Sequence, residues 1–121
     1  MKLGTIIKAH NAMRELSFRQ EISAQLAYLM AKFLTKTESD MAFYGDQIRL
    51  LFKKHNGEIK DDGKMIVAPD EVESFNKDVA DLENTEAEDP DIRFPLSLLS
   101  QELKLSAQQM CQIIDFVDEE K

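Results

Sequence analysis

At 121 residues, with 43% apolar side chains, seven Phe, six Met and no Trp, the chain is sized for one domain with a modest core. Its formal charge of −8 is unevenly laid: residues 1–60 carry ten Lys/Arg against six Asp/Glu, net +4, and residues 61–121 carry five against seventeen, net −12. Between Asp70 and Asp91 ten carboxylates face a single base, Lys77, a balance that repels nucleic acid and anionic membrane and attracts basic partners. No apolar stretch approaches the ~18 residues of a spanning helix. Met1-Lys2-Leu3-Gly4 opens an amphipathic pattern rather than a signal peptide. The single Cys111 suits a reducing, cytosolic setting and reads as a small buried apolar residue beside Met110 and Ile114.

Leu3, Ile6, Ile7, His10 and Met13 recur at helical spacing, so residues 3–15 are expected to form an amphipathic helix. His10 falls on its apolar stripe as a partly buried histidine, with no second metal ligand at helical spacing. A break follows, with a capping box expected between Ser17 and Gln20. Ile22, Leu26, Leu29, Phe33, Met41, Tyr44, Ile48, Leu51 and Phe52 then make one stripe. The polar run Thr35–Asp40 invites a break, but Leu26 and Tyr44 stand five whole turns apart, so one long helix is expected over 18–55. Such a helix reaches roughly 55 Å, beyond the ~35 Å diameter of a globule this size. The first helix can cover only its first half. The remainder needs the C-terminal segments, a second copy or a partner, and Phe33, Met41, Tyr44, Ile48 and Phe52 are the candidate self-association stripe.

Asn56-Gly57 ends the long helix, since either residue tolerates the left-handed conformation of a helix C-terminus. Residues 58–67 read as a short β-hairpin around Asp62-Gly63. Pro69, Asp70 and Glu71 start an acidic helix whose single apolar stripe is Val72, Phe75, Val79 and Leu82. After an acidic loop, Ile92-Arg93-Phe94-Pro95-Leu96 alternates as an edge strand, leaving either a small β-hairpin alone or a three-stranded sheet with it. A helical turn over Leu98, Leu99 and Leu103 follows. Ser106 and Gln109 then form a capping box, with Leu105 stapled to Met110. That last helix carries Met110, Ile113, Ile114 and Val117 and frays into Asp118-Glu119-Glu120-Lys121. The expected fold is α+β and mostly helical: an N-terminal helical hairpin with one long helix over 1–55, then an acidic α+β portion over 56–121 with a small sheet and short C-terminal helices. Together they make one domain.

Chemistry is scarce. The four glycines stand isolated at 4, 45, 57 and 63, with no phosphate loop and no nucleophile elbow. Lys60–Lys64 imitates an EF-hand fragment but puts Val67 and Ala68 where ligands belong. Glu86, Glu88, Asp89 and Asp91 read as a solvated loop. Lys32, Lys36, Arg49, Lys53 and Lys54 are interleaved with Glu38, Asp40 and Asp46 and lack an aromatic platform, which argues against nucleic acid. The basic half is better matched to the acidic half, within one molecule or between two. Gly45, between Tyr44 and Asp46, either admits another backbone or is a tolerated defect.

A helical hairpin, an Asp62-Gly63-Lys64 turn, an acidic helix ending in Phe75-Asn76-Lys77-Asp78-Val79-Ala80-Asp81-Leu82-Glu83, an alternating strand and Leu105-Ser106 before a last helix together resemble small uncharacterised proteins of tailed bacteriophages and prophages. The resemblance implies a viral product in the bacterial cytoplasm or in a virion, with no cofactor. The expected function is non-enzymatic protein binding, as a virion or assembly component. The alternative is an acidic inhibitor that imitates nucleic acid against a host enzyme, through Asp70, Glu71, Asp78, Asp81, Glu83 and Glu86. Protein partners, including a second copy, are expected; nucleic acid, membrane and small-molecule substrates are not.

Overall fold

The computed structural model describes residues 1–19 and 21–119. Helix α1 (Leu3–Leu16) packs along helix α2 (Ala24–Lys54). Hairpin strands β1 (Glu58–Ile59) and β2 (Met65–Ile66) lead through a 3-10 turn, Pro69–Glu71, into α3 (Val72–Glu83). Strand β3 (Phe94–Pro95), α4 (Leu96–Glu102), α5 (Ala107–Ile113), a 3-10 turn over Ile114–Phe116 and β4 (Val117–Asp118) complete the chain. The fold is mostly helical α+β, as its periodicities indicate.

Helix α2 starts later than expected. Its cap is Ser23, whose hydroxyl accepts the Leu26 amide, and the Ser23 amide and hydroxyl both donate to the Glu102 carboxylate on α4. Ser17 instead closes α1, its hydroxyl donating to the Arg14 carbonyl; its expected capping partner Gln20 lies outside the described residues. From Ala24 the helix runs through the polar stretch 35–40 without interruption, 31 residues or about 46 Å. Thr37 survives there because it is fully buried with both hydrogen-bond partners supplied. Its hydroxyl shares a hydrogen bond with His10 Nδ1 at 2.7 Å and lies 2.8 Å from the Phe33 carbonyl oxygen.

At the other end the two expected residues divide the work. Asn56 takes the positive φ of 55°, its amide bonding the Lys53 carbonyl, while the Gly57 amide reaches the Phe52 carbonyl at 2.8 Å. Gly57 is needed for space: a Cβ there would enter the Phe52 ring. Gly45 is the opposite case, with nothing within 4 Å of its missing Cβ. Gly45→Ala is therefore expected to stabilise the chain by about 1 kcal/mol, and Gly57→Ala to destabilise it by about 1–3 kcal/mol as the buried Phe52 ring is displaced. Paired urea unfolding curves check both signs.

Strand β3 does not join the hairpin. It pairs in parallel with β4, Phe94 opposite Val117, so there are two separate two-stranded sheets. The reason is burial. Ile92, Phe94 and Phe116 all sit in the core, which draws Val117 out of the last helix and alongside Phe94. The Ser106–Gln109 capping box forms as read, but α5 turns inward on Ile113 and leaves Cys111 and Ile114 exposed, contrary to the burial expected for the thiol.

The core gathers Ile6, Met13, Leu16, Leu26, Met30 and Phe33 from the first two helices with Ile92, Phe94, Leu99, Leu103, Ile113 and Phe116 from the C-terminal segments. Phe33 stands edge-on to Phe94 and Phe116, with centroids 5.8 and 4.9 Å away. No buried residue of this core comes from between Leu34 and Asp91. The second part of α2, the hairpin and α3 form an arm beyond it, and α3 has no fully buried side chain at all. The acidic loop that returns from the arm is clipped down rather than free. Arg93 forks onto Asp89 at 2.7 and 3.1 Å and lies over the Phe116 ring, while Lys36 donates to the Pro90 carbonyl. No helix among the described residues is long and apolar enough to cross a membrane.

Candidate functional site

The acidic face was expected to look outward; most of it does, but Glu71, Asp78 and Glu83 are half-buried against the N-terminal half. His55, the residue capping α2, is 4% exposed. Its Nδ1 lies 2.6 Å from Glu71 Oε2 and its Nε2 lies 2.7 Å from Asp78 Oδ2. Lys54 Nζ reaches the same Asp78 oxygen at 3.0 Å. With a carboxylate on each nitrogen, both nitrogens donate and the ring is an imidazolium. Hydrogen bonds to Asp78 and Glu71 accordingly raise the His55 pKa against the opposing effect of burial, and those from His55 and Lys54 lower that of Asp78. The acids occupy opposite edges of the ring, so they do not converge on one nitrogen as metal ligands would. No group able to hold a metal is found among the described residues.

Farther along, the Tyr44 hydroxyl donates to Glu83 at 3.0 Å, and burial together with that bond pushes the phenol up to about 12. The Met1 ammonium meets Glu86 at 3.0 Å. Of the six acids expected to form a partner surface, Glu71, Asp78, Glu83 and Glu86 thus have cationic or hydroxyl partners on the N-terminal half of their own chain. Asp70 and Asp81 are exposed. Part of the charge asymmetry between the halves is thus met within one molecule.

The proposed self-association stripe also needs correcting. Phe33 is fully buried in the core, and Phe52 is 9% exposed against Gly57, so neither is available to a second chain. The phase that aligned them with Tyr44 is the phase of the face turned toward α1 and α3. Met41, Tyr44 and Ile48 are half-buried on or beside that face. The apolar side chains left outside are different ones. Six of the nine large exposed apolar residues among those described fall between Phe43 and Val72: Phe43, Leu50, Ile59, Met65, Ile66 and Val72. Ile59 and Met65 are directly opposed across the hairpin, so they share a face. Periodicity along α2 could not find the hairpin members, but the alternation around Asp62-Gly63 marked their strands.

A groove of about 630 Å³ opens between α1 and α2. Leu34, Met41, Ala42 and Gly45 line it, with His10, Arg14, Glu38 and the Asp46–Arg49 ion pair also contributing. His10 is 6% exposed, and burial, with Arg14 nearby, lowers its pKa against the pull of Glu38. The expectation of a partly buried histidine on the stripe stands, with Thr37 as the partner that the sequence did not disclose. Comparison of the chain with protein-family models, with curated proteins and with solved structures finds no match in any of the three.

Proposed function

We propose that this chain is a non-enzymatic protein that acts by binding protein, as a virion or assembly component of a tailed phage, the setting its pattern resemblance implies. One observation carries the reading. The arm formed by the end of α2, the hairpin and α3 leaves Ile59 71% exposed and Met65 56% exposed on one face of an isolated two-stranded hairpin. Hairpins of two strands are marginal on their own, and apolar side chains gathered at one end mark a contact surface. Both outer edges of the hairpin lack a strand partner among the described residues, so a second copy can extend the sheet while covering that face. The inhibitor reading needs its acids turned to a basic groove elsewhere, and four of the six are engaged within the chain.

Sedimentation velocity over a range of loading concentrations, at two salt concentrations, tests the reading. A salt-resistant, concentration-dependent oligomer is expected, reverting to monomer in the Ile59→Lys/Met65→Lys double variant. A monomer throughout, or an oligomer indifferent to those two substitutions, overturns assembly through the arm.

A further inference from the structure

We propose that the Glu71–His55–Asp78 cluster is a proton-operated latch: with the ring charged it holds the hairpin in place for a second copy, and with the proton gone it releases the hairpin. As a control on association, the latch rests on the assembly reading above. It stands where the chain leaves α2 for the hairpin and where it comes back. Asn56, next after His55, takes the positive φ, and β1 starts at Glu58. Past β2 the chain turns through Pro69–Glu71, and Glu71 Oε2 lies 2.6 Å from His55 Nδ1. That contact closes the excursion of 16 residues at its foot. Asp78, inside α3, holds the other ring nitrogen at 2.7 Å. Apolar burial in the arm is too slight to replace these bonds, because no residue from 56 to 89 is buried. The His55 ring, 4% exposed and edge-on to Phe75 at 5.9 Å, takes the central place that an apolar side chain would otherwise fill.

The latch needs its proton because neutral imidazole has one N–H and one bare lone pair. Whichever nitrogen keeps its hydrogen, the other then turns a lone pair on a carboxylate oxygen 2.6 or 2.7 Å away, and an attractive contact becomes a repulsive one. The charged groups facing the ring are Glu71 from the 3-10 turn and Asp78 from α3; Lys54, on the ring's own helix, reaches Asp78 at 3.0 Å. Two cations and two carboxylates cancel, and loss of the ring proton leaves one negative charge over. Glu71 forms no other ion pair among the described residues, so no second cation keeps it against α2. The two carboxylates also hold the proton on the ring above its ordinary 6.5, and it leaves as pH rises through that higher value. A hairpin of two strands is marginal without support. Freed at its foot it frays, and Ile59 and Met65 lose the common face that a second copy covers.

NMR and sedimentation velocity of the full chain, at pH values from below 6.5 upward, test this. The His55 ring shifts give the midpoint of its titration. Inside the hairpin the Lys60 amide bonds the Lys64 carbonyl at 2.8 Å. Its exchange, corrected for base catalysis, should quicken roughly ten- to a hundredfold across that midpoint, and the oligomer should weaken over the same interval. Glu71→Gln is the deciding variant, because an amide can accept from a ring N–H or donate to a bare ring nitrogen. There the hairpin should stay protected, and the oligomer persist, after His55 has lost its proton. Lys60 exchange that ignores the His55 titration, or follows it equally in Glu71→Gln, overturns the latch. An oligomer unchanged across the midpoint overturns it as well. A chain that is monomeric at every pH overturns assembly through the arm instead, and Lys60 exchange alone then decides whether the latch exists.

Discussion

Phe33→Ala is expected to cost about 3–5 kcal/mol, at every protein concentration. The ring is fully buried and meets Phe94 and Phe116 edge-on, so its removal strips contacts from three segments at once and leaves a void they cannot close. Against a total of about 5–15 kcal/mol for a typical domain, that loss leaves the variant largely unfolded or loosely packed. Urea unfolding followed by circular dichroism at two well-separated protein concentrations reads the effect. A residue lining an intermolecular surface behaves differently, because its loss is felt only where the oligomer is populated. Concentration dependence of the Phe33→Ala penalty would return this side chain to the interface that the sequence periodicity suggested.

The second large effect follows pH. His55 has a raised pKa, so the folded chain holds its proton where the unfolded chain has released it. The stabilisation is complete below the unfolded value of 6.5 and is lost as pH rises through the folded value above it. On the acid side the order reverses. Asp89 is held down to about 2 by the Arg93 fork and the Asp91 amide, so its contribution is present above 3.8 and disappears as pH falls toward 2. Its side chain is 37% exposed, and with solvent screening that contribution is about 1 kcal/mol. His10, kept neutral by burial, adds a loss as pH falls below 6.5 toward its lowered value. Alkali should therefore loosen the arm, and acid should loosen the core and its clipped loop. Amide exchange locates the two losses. In His55→Leu, which leaves Glu71 and Asp78 without their shared donor, α3 amides should exchange roughly ten- to a hundredfold faster while those around Phe33 stay protected. The difference from the unaltered chain should shrink as alkali removes the His55 proton. Equal acceleration throughout the chain would show that the cluster does not act locally.

The elements legible in the sequence are those whose cause is local. Ser106 and Gln109 cap one another across three residues, Asn56 needs only its own backbone freedom, and five whole turns between Leu26 and Tyr44 carried the long helix through a polar stretch. What escaped depends on partners far along the chain. Thr37 looks like a helix breaker until His10 arrives from α1. Ser17 and Ser23 are equally good caps by type, and Glu102 decides between them from 79 residues away. Strands of two residues carry too little pattern to name a partner, so the alternation at 92–96 marks β3 without disclosing its pairing with β4. His55 was visible only as one of two histidines; its carboxylates sit 16 and 23 residues downstream. Gly45 and His10 were both noticed, but the groove that joins them needs the register of α1 on α2.

The arm also bears on how quickly the molecule can assemble. Its base is narrow, because Tyr44 touches Glu83 and the Leu3 amide bonds the Thr85 carbonyl. The core is therefore made of two chain segments separated by a long excursion that comes back to its starting level. Closing that excursion as a floppy loop of about 55 residues would cost ~3.5 kcal/mol of chain entropy. Once α3 has zipped against α2, the effective loop shrinks to a handful of residues and the cost falls by ~2 kcal/mol. Formation of the arm thus brings Ile92 and Phe94 within reach of Phe33, and substitutions at His55 should slow refolding as well as hasten unfolding.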